Sequence, residues 1–85
     1  ATALEARHAA GLSEEQWRTF MIISRETAQV IVTAHPEWTW PHVPFPEKER
    51  ARAEVNARLV EEGIPEVESD VFRWRMAQAL GCIRQ

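Results

Sequence analysis

The sequence predicts an all-α fold. It should be a small three-helix orthogonal bundle with an ordered Pro/Trp-rich loop between the first two long helices. A short helix in residues 1–11 would make it a four-helix bundle. Three observations support this reading. Apolar residues recur at three- and four-residue spacing over three long stretches, and nowhere do they alternate with period two. Helix-start and helix-stop residues bracket those stretches. Four of the five prolines fall between Pro36 and Pro46, where no helix interior is expected. At 85 residues the chain reads as one helical domain, 1–85, with a small core.

Residues 1–11 (ATALEARHAAG) are alanine-rich and close on Gly11. They read as a lead-in or minor helix. The first long helix is expected over 13–35. Ser13 followed by Gln16 is a capping box, with Leu12 and Trp17 at the two positions of a hydrophobic staple. Glu14 and Glu15 suit the positive end of the helix dipole. Trp17, Phe20, Met21, Ala28 and Ile31 form the apolar stripe, and Ile23, Val30 and Ala34 widen it. Ile22 falls on the opposite side with Arg18 and Arg25. Pro36 ends the helix by disfavouring helical geometry at His35.

Residues 36–46 form the aromatic loop. Its rings, Trp38, Trp40 and Phe45, are too large to be left in water by a floppy linker, so the loop should be pinned by them. The second helix is expected over 47–62, opened by Pro46 and Glu47 and stopped at Gly63. Ala51, Val55 and Leu59 make a narrow apolar stripe. Glu54 and Arg58 have the spacing and order of an ion pair. Lys48 and Arg52, also four apart, cannot form one.

The third helix is expected over 66–81, opened by Pro65 or Ser69. Phe72, Met76, Ala79, Leu80 and Ile83 share one face, while Val67, Val71, Trp74 and Ala77 lie towards the other. A helix apolar on two sides is usually sandwiched, so this helix should be the central element. The expected core is Trp17, Phe20, Met21, Ile31, Val55, Leu59, Phe72, Met76 and Leu80. Trp38 or Trp40 should cover one end.

Little in the chain suggests chemistry. His8, His35, His42 and Cys82 lack the spacing of metal ligands, so no metal site is expected. Cys82 reads as a small buried apolar side chain. No catalytic residue, cofactor or small-molecule substrate is expected in a helical domain with so little room for a pocket. No apolar run reaches the ~18–20 residues of a membrane span, so no membrane partner is expected. One cysteine cannot form an internal disulfide, and residues 1–11 lack the order of a signal peptide. Together these point to an intracellular protein, cytoplasmic or nuclear.

The best functional expectation is a non-catalytic protein–protein interaction module within a larger, regulatory protein. It would dock a partner or a second copy of itself through Trp74, Arg73, Trp38, Trp40 and Ile22. The chain has four Trp, three Phe and no Tyr, and Trp and Arg are enriched at interface hot spots. The alternative is a DNA- or RNA-binding domain of helix-turn-helix character. Residues 61–70 carry five acids and no Lys or Arg, whereas residues 71–85 carry three arginines and no acid. The third helix is therefore locally basic, and Arg73, Arg75, Gln78 and Arg84 would form its reading face. Two features oppose this. The net charge is −3, and the turn from Gly63 to Ser69 is longer than the usual three to four residues.

Overall fold

Local capping explains where the first helix begins. In the computed structural model, which describes His8 and residues 10–83, α1 spans Glu14–Ala34. The Gln16 N–H donates to Ser13 Oγ at 3.2 Å, and the Ser13 N–H donates to Gln16 Oε1 at 3.1 Å. Both halves of the capping box are thus made. Leu12, at the outer staple position, is buried, and Trp17 is half-buried. The helix ends at His35, whose N–H still reaches the Ile31 carbonyl. The expected lead-in helix lies outside the described residues, apart from His8 and Ala10, which are helical.

A 3₁₀ turn at Trp40–His42 interrupts the connection to α2, which spans Phe45–Glu61. This helix starts two residues before the expected position. Pro44 serves as its N-cap, and Pro46 occupies the first turn, where its missing N–H costs nothing. Its end is a complete Schellman motif. The Ile64 N–H bonds the Leu59 carbonyl and the Gly63 N–H bonds the Val60 carbonyl, with Gly63 at φ +74°.

The last helix, α3, spans Ser69–Ile83, later at both ends than expected. Its start is delayed because Asn56 Oδ1 accepts the buried Val67 N–H at 3.2 Å, holding that backbone outside the helix. The helix runs through Gly81, and Ile83 packs against the core.

The described elements are all helical, and three helices pack together. The central element is α1, not the third helix. Met21 and Ser24 contact α3 through Arg75, and Glu26 meets Arg58 of α2 at 2.7 Å. Glu62 and Ile64 lie beside Ser13, Gln16 and Thr19, so α1 and α2 run antiparallel. Arg58 therefore pairs between helices rather than with Glu54 of its own helix. In α3 the buried residues Val71, Phe72, Arg75, Met76, Ala79 and Leu80 make one broad face, not two opposite ones.

The core is centred on Phe20, Val55, Leu59, Met76 and Leu80. Trp40, Val43, Ile64 and Val67, from the connections, close its ends. Trp17, Met21 and Ile31 sit half-buried at its margin, not in the interior as expected. Long α1, about 31 Å at 1.5 Å per residue, accounts for the 34 Å long dimension. No helix among the described residues is long and apolar enough to cross a membrane.

Candidate functional site

The residues singled out from sequence do not form one surface. On α1, Ile22 stands 55% exposed, opposite the core. Trp38 is half-buried, its ring stacked on His35 with centroids 3.6 Å apart. Trp74 is half-buried too, lying 6.4 Å from Trp17 of α1, which in turn lies 5.2 Å from Phe20. Helix α1 therefore covers part of the Trp74 ring. Only Trp40 and Arg73 come together, at a cleft between the N-terminal turns of α2 and α3.

The residues of the nucleic-acid reading separate as well. Arg75 is 7% exposed and turned into the α1–α3 interface. It donates from Nε to Ser24 Oγ at 2.8 Å, from one terminal nitrogen to the Met21 carbonyl at 2.9 Å, and from the other to Gln78 Oε1 at 3.0 Å. Burial, reinforced by the like charge of Arg25 and opposed by Cys82, lowers its pKa. Arg75 is thus absent from the outer surface of α3, and its bond ties up Gln78. Arg84 lies outside the described residues. Cys82, expected to be buried, is an exposed free thiol.

The cleft measures about 340 Å³. Its floor is Trp40 and Phe72, both buried, in edge-to-face contact with centroids 5.7 Å apart. Phe45 stands at its lip, 72% exposed. Lys48, Arg52 and Arg73 surround it, and Ser69 brings the N-terminal end of α3 to its edge. The Lys48 ammonium lies 5.4 Å from the Trp40 ring centroid, a cation–π contact. Arg73 is held by Asp70 at 2.7 Å, and Arg52 more loosely by Glu49 at 3.6 Å. Among the described residues, Trp40 Nε1 and Arg52 Nε are covered without a hydrogen-bond acceptor. A covered donor of this kind costs about 1–3 kcal/mol.

Phe45, Lys48 and Arg52 were not singled out from sequence, although a signal was present. Lys48 and Arg52 are like charges one turn apart, an arrangement that weakens an isolated helix. With Phe45 they follow three- and four-residue spacing along one edge of α2. Their opposite numbers on α3 are Ser69, Phe72 and Arg73, again three and four apart.

Among the described residues no group of His, Cys, Asp or Glu could hold a metal ion. No protein-family model, curated protein or solved structure matches the chain.

Proposed function

We propose that this chain is a non-catalytic protein-interaction module of an intracellular protein, docking a partner through an aromatic and arginine-bearing surface. The observation that carries the reading is Phe45. It is a large apolar ring 72% exposed at the lip of a cleft that also holds Trp40 and Arg73. Exposed apolar surface bordered by charge marks interaction sites, and aromatic and Arg residues dominate their energetics. Ile22, Val30 and Val60 are further exposed apolar side chains on the helix surfaces. The free thiol of Cys82 accords with a reducing compartment.

The test is selection from a random dodecapeptide library displayed on phage, with the folded chain immobilised, alongside sedimentation of the free chain. The reading requires either enriched peptides that the Phe45→Ala variant no longer retains, or self-association that this variant abolishes. It fails if neither is seen. It also fails if a DNA or RNA duplex binds instead, with affinity falling by about 10³ or more between 50 and 200 mM salt.

A further inference from the structure

We propose that the cleft between the first turns of α2 and α3 takes an acidic peptide segment of a partner protein. One apolar side chain of that segment would enter between Phe45 and Phe72, while flanking carboxylates meet Lys48, Arg52 and Arg73. This rests on the interaction-module reading and names the chemistry of its partner.

Charge complementarity is the argument. The chain as a whole carries −3, yet three cations gather around this one cleft with Glu49 as the acid in its lining. Asp70, just outside, engages Arg73. The remaining positive charge is reinforced by the N-terminal end of α3, whose peptide dipoles favour an anion. Within the helices Arg52 pairs with Glu49 and Arg73 with Asp70, but Lys48 and Arg52 still stand as like charges one turn apart along α2. A ligand carboxylate would relieve that repulsion.

The apolar half of the site is equally specific. Phe72 and Trp40 are already packed edge to face, so the floor is preformed. Phe45, 72% exposed at the lip, forms the outer wall. A volume of about 340 Å³ accepts one large side chain and short stretches of backbone to either side. It does not follow a duplex backbone. Arg75, which a basic reading helix would need at its surface, is buried. A polyanion would also meet the chain's net negative charge.

The probe is a synthetic dodecapeptide of Asp and Glu with a single central Leu. Two matched controls carry Asn and Gln for the acids, or Ala for the Leu. Tryptophan emission reports binding, and amide shifts in the NMR spectrum locate it. The acidic Leu peptide should bind at 50 mM salt, shifting the amides of Phe45, Lys48, Ser69 and Arg73. Removing its charge or its Leu should weaken binding at least about tenfold. Phe45→Ala should weaken it by a similar factor, and Arg52→Ala and Arg73→Ala by about threefold to fivefold each. These three side chains are not part of the buried core, so their variants should fold, which circular dichroism checks.

The proposal is overturned if the neutral peptide binds as well as the acidic one. It is also overturned if folded Phe45→Ala and Arg73→Ala bind the peptide like the parent, if no binding occurs up to millimolar peptide, or if a nucleic-acid duplex displaces the peptide at lower concentration. Should the phage selection instead enrich neutral or basic peptides that still require Phe45, the module reading stands and the acidic chemistry falls.

Discussion

At the scale of single residues, Arg75 is the clearest case of chemistry set by position. A guanidinium taken out of water loses much of its hydration. Here it donates three hydrogen bonds, to Ser24 Oγ, the Met21 carbonyl and Gln78 Oε1, but meets no carboxylate among the described residues. Ser24 keeps a bond of its own to the Phe20 carbonyl at 2.7 Å. An apolar side chain of similar length would therefore strand no partner. Arg75→Met should keep stability within about 1 kcal/mol of the parent or raise it, as for other buried ions replaced by packed apolar groups. Arg75→Ala should lose about 2–4 kcal/mol, because it leaves a cavity between α1 and α3. Urea denaturation with matched m-values decides this. If both variants lose equally, the hydrogen bonds rather than the packed volume join these helices.

At the scale of elements, capping and glycine chemistry carry the expected outcomes. The Ser13 side chain satisfies one of the orphan N–H groups of α1, so Ser13→Ala should cost about 1 kcal/mol. Thermal melting would show it, and an unchanged midpoint would mean the staple alone holds the helix start. Gly81 is the opposite case. It is helical, and a Cβ there would meet nothing within 4 Å. Gly81→Ala should stabilise α3 by about 0.5–1 kcal/mol, the helix-propensity difference. A lower melting temperature would show that the last turn of α3 is held by something other than helix propensity.

The same elements show how far local signals reach. The limits of α1 and the stop at Gly63 were legible, because caps act over three or four residues and those residues are adjacent in the chain. The start of α2 was misplaced by two residues, since Pro44 and Pro46 both suit the first turn of a helix. The limits of α3 were not legible at either end. Val67 is kept out of the helix by Asn56, eleven residues earlier. Gly81 is carried through because Ile83 gains core contact beyond it.

At the scale of the whole molecule, one shared core makes stability depend on few residues. Leu80 is fully buried, whereas Val60 is mostly exposed. Leu80→Ala should cost about 2–5 kcal/mol, a large part of the 5–15 kcal/mol typical of a native protein. Val60→Ala should stay within about 0.5 kcal/mol. Equal losses measured by denaturation would mean that Val60 is covered, for instance by a second copy. The choice of central helix also belongs to this scale. Each helix had an apolar stripe, and stripes alone do not rank partners. Trp74, Val71 and Arg75 share one side of α3, and all meet α1 or the core rather than a separate neighbour.

The sequence by itself determined the helical class, the three long helices, the limits of α1, the capping box at Ser13 and the turn at Gly63. It also placed Phe20, Val55, Leu59, Met76 and Leu80 in the core. These follow from periodicity and from hydrogen bonds between near neighbours in the chain. Tertiary structure decided which arginine is buried, which helix is central and which ring stands in water. Arg75 and Ser24 are 51 residues apart, and Trp40 and Phe72 are 32 apart. Burial and pairing at such distances depend on how whole helix faces meet, and no short-range pattern encodes that. The cleft with Phe45 at its lip exists only once α2 and α3 bring their first turns together.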